Sequence, residues 1–263
     1  MFIHESGPTD GPTVVFLHGT ATNGTMWKDE MKRLTNYHCL APDFPGYGQS
    51  YHQKWVSVDE TANQIIDVIS RTRHRQVHIV GLSLGGMIGI MLLSKAPDLI
   101  DRAIIDGAGV PSTVPILMKV GLYIVQPFLH TNFVTKTIAR FYNVPDEDLD
   151  EFSQNMRSVS PSSFTRSVIQ VNSLRRPPGL DKVTSPVLFV TGEKEKATTP
   201  LQIRLAEIMP NAQVRIAPNM GHAWMIEAPE LHYRMVEAWL SNKPLPEELV
   251  IPKELIKAGS EAA

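Results

Sequence analysis

Runs of consecutive apolar residues alternate along the chain with stretches in which apolar residues return every three or four positions. Residues 13–17 (TVVFL) are β-branched and apolar and stop at His18-Gly19. Similar runs occupy residues 37–41, stopped by Pro42, and residues 77–80, 102–105, 187–190 and 213–216. Between them, residues 26–34, 59–69, 85–96, 201–209 and 231–240 carry helical spacing; Ala62, Ile65, Ile66 and Ile69 share one face. Strands that are apolar along their whole length bury both faces. The alternation therefore predicts an α/β fold, with a mostly parallel central sheet and helices on both sides.

The alternation stops between about residues 110 and 182. Four helical patterns follow one another there, at residues 116–129, 134–142, 146–156 and 161–174, punctuated by Pro111, Pro115, Pro127, Pro145, Pro161 and Pro177-Pro178. An all-helical insert between two parallel strands is expected to form a lid over the carboxyl edge of the sheet, where such sheets hold ligands. The predicted organisation is a core of residues 1–110 and 183–241, a helical cap of residues 111–182, and a loosely attached C-terminal extension of residues 242–263.

Length and composition narrow the function. At 263 residues the chain can bury a large single core. A net charge of −2 supplies no field for collecting nucleic acid. The densest basic cluster, residues 71–75, ends a helix, where cations favour the dipole. One cysteine, Cys39, excludes an intrachain disulfide and fits a cytoplasmic setting. No signal peptide is visible. The longest apolar stretch, 116–129, contains Lys119, Gln126 and Pro127, so no membrane span is expected.

The sharpest chemical signal is Gly81-Leu82-Ser83-Leu84-Gly85-Gly86, which follows a strand directly and opens a helix. A tight strand-to-helix turn strains its central residue and presents the Ser83 hydroxyl at the sheet edge, with small neighbours relieving the crowding. The Leu84 amide, at a helix N-terminus, is a candidate oxyanion donor; the Thr20 amide, in the loop after the first buried strand, is the other. Gly221-His222 lies between the last strand and the last helix, which makes His222 the candidate general base. For the acid, which should follow a strand between Ser83 and His222, two carboxylates compete. Glu195 follows Thr191-Gly192-Glu193-Lys194 and is the first choice; Asp106, before Gly107-Ala108-Gly109, competes, and Glu193 reads as a solvated loop charge.

With these residues in view, the chain resembles the α/β-hydrolase superfamily of capped serine hydrolases. The resemblance rests on His18-Gly19, on the Asp43-Phe44-Pro45-Gly46-Tyr47-Gly48-Gln49-Ser50 segment, on the Ser83 elbow, on Gly192-Glu193-Lys194-Glu195 and on Gly221-His222, and it spans residues 2–240. It implies that the 43–50 segment shapes backbone beside the pocket. Two departures stand out. The family usually has Asp where Glu195 stands, and the short N-terminus predicts one edge strand fewer than usual.

Serine at position 83 disfavours the reactions that hydrolase folds run with an Asp nucleophile. No metal-ligand spacing, phosphate loop or dinucleotide motif is present, so no metal or cofactor is implied. The resemblance implies hydrolysis of a small carboxylic ester or lactone through an acyl-enzyme, esterases and enol-lactone hydrolases being most similar in layout. Carbon–carbon bond hydrolysis, a ligand sensor with slow turnover and an inactive scaffold stay open. Val114, Ile116, Leu117, Val120 and Leu122 are candidate pocket-lining residues, as are Phe128, Phe133, Phe141 and Trp224. Oligomeric state is not legible.

Overall fold

Successive side chains of β2 (Thr13–Leu17) go to opposite sides of a sheet: Val15 and Leu17 enter one apolar cluster, Val14 and Phe16 another. The same division runs through β4 (Val77–Leu82), β5 (Ile100–Asp106) and β6 (Val187–Gly192). Both faces are covered, which is why these strands read as unbroken apolar runs. The computed structural model describes residues 1–110 and 115–255.

Seven strands form one sheet in the order β1-β3-β2-β4-β5-β6-β7, adding β1 (Ile3–Ser6), β3 (His38–Pro42) and β7 (Ala212–Ala217). β1 pairs antiparallel to β3; every other pairing is parallel. The N-terminus thus supplies a single edge strand. Because β3 and β4 lie on opposite sides of β2, the chain reverses direction across the sheet there, opening a crevice at the carboxyl ends of β2 and β4.

On one face pack α2 (Val58–Ile69), α3 (Leu84–Lys95) and α8 (Thr199–Ala206); on the other, α1 (Lys28–Arg33) and α10 (Pro229–Leu240). Ser57 caps α2 by accepting the Glu60 amide, an interaction of about 1 kcal/mol. Residues 84–93 of α3 are all buried. At the elbow, a side chain on Gly85 would stand 2.0 Å from the Leu17 carbonyl oxygen, and one on Gly81 would stand 2.5 Å from that of Gly85. Only glycine lets the helix approach this closely.

Between β5 and β6 lie α4 (Ile116–Val125), α5 (Asn132–Phe141), α6 (Leu149–Arg157) and α7 (Pro161–Val171). Single 3-10 turns at Gln126–Phe128 and Asp146–Asp148 break the expected longer helices where Pro127 and Pro145 stand. The insert is anchored on the 43–50 segment. Tyr47 pairs with Val159, its hydroxyl lies 2.6 Å from Ser167 Oγ, and the Ser160 amide donates to the Gly46 carbonyl. A third apolar cluster joins Leu129, Ala139, Tyr142 and Met156 of the insert to Ala21 and Ala223 of the core.

Two features depart from the sequence reading. A short helix, α9 (Trp224–Glu227), directly follows the His222 loop. The tail is fastened rather than loose over its described part: Val250 pairs with Ile216 of β7, Leu249 is buried, and Glu248 binds Arg234. Among the described residues no helix is long and apolar enough to cross a membrane.

Candidate active site

The turn from β4 into α3 holds Ser83 at φ 54°, ψ −111°, a conformation that costs a non-glycine residue of the order of 1–3 kcal/mol. Hydrogen bonds from the Ser83 amide to the Asp106 carbonyl and from the Met87 amide to the Ser83 carbonyl hold it there. Leu84 is the first residue of α3, so its amide has no partner within the helix.

Thr20 faces the elbow from the loop after β2. The orientation of its peptide is set by His18. The Phe44 amide donates to His18 Nε2 at 3.0 Å, which places the ring proton on Nδ1, 2.8 Å from the Gly19 carbonyl oxygen. That carbonyl and the Thr20 N–H belong to one planar unit. Burial pushes the His18 pKa down to about 4, against the raising effects of the Gly19 carbonyl and Asp43. The ring is therefore neutral near neutral pH. It stacks on Phe44 with centroids 4.0 Å apart.

His222 lies after β7, and its Nδ1 is 2.9 Å from Glu195 Oε2. A carboxylate can only accept, so the proton sits on Nδ1 and Nε2 is the nitrogen left to accept a proton. Thr198 donates to the same Glu195 oxygen at 3.0 Å. Burial works to raise the Glu195 pKa; the hydrogen bond and charge of His222, with the Thr198 hydroxyl, outweigh it and hold the carboxyl below its usual range. Gly107, at φ +55°, gives the ring room: a Cβ there would stand 3.2 Å from His222 Cε1. The Tyr142 ring covers His222 from the insert, with centroids 5.4 Å apart, and its hydroxyl lies 3.0 Å from Thr20 Oγ1.

The competing carboxylate is elsewhere. Asp106 is fully buried and accepts the Trp224 Nε1 proton at 3.0 Å. Its other oxygen lies 3.5 Å from His232 Nε2, an ion-pair distance rather than a well-formed hydrogen bond. His232 Nδ1 in turn lies 3.0 Å from Glu30 Oε1. Burial acts to lower the His232 pKa, and the two carboxylates outweigh it, raising it to about 9. The result is a buried imidazolium between two carboxylates. Glu193 is not simply solvated: it accepts the Asn219 amide at 2.8 Å and braces the His222 loop.

Ser83, Thr20, His222 and Glu195 line one cavity of about 550 Å3. Met87 and Leu201 wall it from the core; Met118, Ile138, Phe164 and Val168 wall it from the insert. This corrects the lining expected from the sequence. Ile116, Leu117, Val120, Phe128 and Phe133 face solvent, because one side of their helices is unpacked. Leu122 is half-buried and not on the wall. Trp224 is in the core on Asp106. Val114 and the Phe141 side chain lie outside the described residues. A larger open groove, about 900 Å3, runs along β7 and the tail but holds none of these chemical groups.

A family model described as "Alpha/beta hydrolase family" matches residues 14–232. An AB hydrolase superfamily protein of Gibberella zeae is 25% identical over 95% of this chain and 87% of its own length. Lipase 1 of Psychrobacter immobilis is 24% identical over 87% of this chain and 76% of its own. Among solved structures, an esterase from Exiguobacterium antarcticum superposes with a TM-score of 0.78 at 19% identity, covering 91% of this chain and 95% of that one. The enol-lactonase from Burkholderia xenovorans also gives 0.78, at 17% identity, covering 91% and 96%. At such identities the superpositions establish a shared fold.

Proposed function

The chain belongs to the α/β-hydrolase family, and from that premise we propose that it is a serine hydrolase cleaving a carboxylic ester or lactone of a small, largely apolar substrate. Ser83 is the nucleophile, His222 the general base and Glu195 the acid that orients it. In the first half-reaction Ser83 Oγ attacks the carbonyl carbon while His222 Nε2 takes its proton. The amides of Thr20 and Leu84 stabilise the oxyanion, about 3 kcal/mol each by analogy with other oxyanion donors. The C–O bond to the leaving group then breaks, and His222 returns the proton to the departing alkoxide. In the second half-reaction His222 deprotonates a water, which attacks the acyl-enzyme. The acid is released and Ser83 recovers its proton.

One observation carries this reading: a serine at a strained elbow shares a cavity with a histidine whose far nitrogen is bound by a carboxylate. The apolar walls and the volume of about 550 Å3 favour a modest acyl or alcohol group. The insert at residues 111–182 acts as a cap, supplying the outer wall. A lipase and an enol-lactonase among the similar proteins fit the same chemistry. A cytoplasmic setting fits Cys39, whose burial pushes its thiol up to about 12 and keeps it unreactive.

A panel of p-nitrophenyl esters and lactones of graded acyl length tests the reading. Turnover at ordinary enzymatic rates, about 10 per second, is expected for short and medium acyl groups. Negligible turnover with strong stabilisation by a bound ester would point to a sensor instead.

A further inference from the structure

The end of α5 brings the insert onto the two loops that carry the chemistry. Tyr142 follows the helix directly, is buried, and shares an apolar cluster with Ala21 and Ala223, the residues after Thr20 and His222. Its hydroxyl and Thr20 Oγ1, 3.0 Å apart, form one hydrogen bond. Burial, helped by the nearby Glu195 charge, pushes the Tyr142 pKa up against the Thr20 bond, so the phenol stays neutral. Asn143 then leaves the helix in the left-handed region, φ 52°, which asparagine tolerates at helix ends. Its Nδ2 donates to Glu227 Oε1 at 3.3 Å, and the same oxygen accepts the Gly221 amide at 2.7 Å. A Cβ on Gly221 would stand 2.0 Å from Asn143 Nδ2 and 2.9 Å from Glu227 Oε1, so the insert seats directly on the residue before His222.

We propose that Tyr142 is a positioning residue for the reaction, fixing the Thr20 amide that meets the oxyanion; this rests on the hydrolase reading of the cavity. His18 restrains the peptide that carries the Thr20 N–H, but acts on its Gly19 side alone. Tyr142 holds the other side, through the Thr20 hydroxyl. An oxyanion donor works where it already stands about 2.7–3.1 Å from the developing charge, so a donor restrained from both sides need not reorganise during the reaction. The same ring covers His222, with centroids 5.4 Å apart, so one insert residue sets the donor against the base. The insert is thereby part of the catalytic assembly as well as its outer wall. Because the hydroxyl acts on the Thr20 amide and not on the acyl or alcohol group, its effect belongs in kcat rather than KM.

Steady-state kinetics of the full-length chain on p-nitrophenyl acetate, well below each variant's melting temperature, test this. Tyr142→Phe keeps the ring on His222 and removes only the bond to Thr20. Its kcat should fall about fivefold, the factor of one neutral hydrogen bond, with KM changed less than about twofold. Thr20→Val breaks the same bond from the core side while keeping the amide, and should lose the same factor; it decides the matter alone should the Phe variant fail to fold. In the double variant the loss should stay about fivefold rather than multiply to about 25-fold, because both changes remove one interaction. Wild-type kcat in folded Tyr142→Phe or Thr20→Val, even with a lowered melting temperature, overturns the proposal, since the bond would then serve the fold alone. So does a loss carried by KM alone, or losses that multiply in the double variant, which would mean that the Tyr142 hydroxyl acts apart from Thr20. A wild type that turns over no ester or lactone overturns the hydrolase reading and this inference with it. An active wild type with unaffected variants overturns this inference only.

Discussion

Glu195 Oε2 accepts two hydrogen bonds at once, from His222 Nδ1 at 2.9 Å and from the Thr198 hydroxyl at 3.0 Å. Both donors favour its ionised form, and the ionised form fixes the His222 tautomer. Glu195→Gln should therefore lower kcat by about 10⁴-fold, as loss of the acid does in related triads, with KM little changed. Asp106→Asn should leave kcat near wild type, since that carboxylate points into the core. Steady-state kinetics of both variants on one soluble ester separate the two. If only the Asp106 variant loses kcat, the acid is wrongly assigned.

Asp106 matters for stability instead. Asp106→Asn takes a charged acceptor from the buried Trp224 indole N–H and one of two carboxylates from the buried His232, so it should cost about 1–3 kcal/mol. The pH dependence has a definite sign. His232 has a folded pKa of about 9 against an ordinary 6.5, so its protonation stabilises the fold fully below pH 6.5. That contribution, about 3 kcal/mol for a fully buried group of this shift, disappears as pH rises from 6.5 through 9. Urea unfolding of wild type should show this decline, and His232→Gln should flatten it.

His18 acts through the peptide it holds. His18→Ala frees the Gly19 carbonyl and with it the Thr20 amide, so kcat should fall, by no more than the ~10²–10³-fold of losing an oxyanion donor. Ground-state binding has little stake in that amide, so KM should move far less. A fall in kcat/KM caused by KM alone would mean that His18 serves only the fold.

Val168 lies on the cavity wall. Val168→Phe should shorten the preferred acyl chain, leaving acetyl and propionyl esters close to wild type while longer ones lose kcat/KM. An unchanged profile across the series would place the acyl group elsewhere.

The strands were legible because each is buried on both faces, and the elbow because its glycines are required where backbone would stand 2.0 to 2.5 Å from a side chain. The choice between Glu195 and Asp106 was harder. Both end parallel strands that are neighbours in the sheet, and only the side-chain directions separate them. The cavity wall was misread for a different reason. In α4 only Lys119 interrupts the apolar run, so no face stands out, whereas other residues that line the site, such as Thr137 and Val168, sit on helices of mixed composition. Nothing in the sequence signals the Glu30–His232–Asp106 chain, whose members are far apart along it. The anchored tail was likewise hidden, because Leu249 and Val250 are short apolar islands among prolines.

The most direct test is covalent. A fluorophosphonate should add one equivalent to the native enzyme, found by mass spectrometry on the peptide that carries Ser83, with hydrolysis lost in step. Ser83→Ala should take up no label and hydrolyse nothing while melting near the wild-type temperature. Label on another residue, or ester hydrolysis surviving in Ser83→Ala, would contradict the assignment of the nucleophile and with it the mechanism.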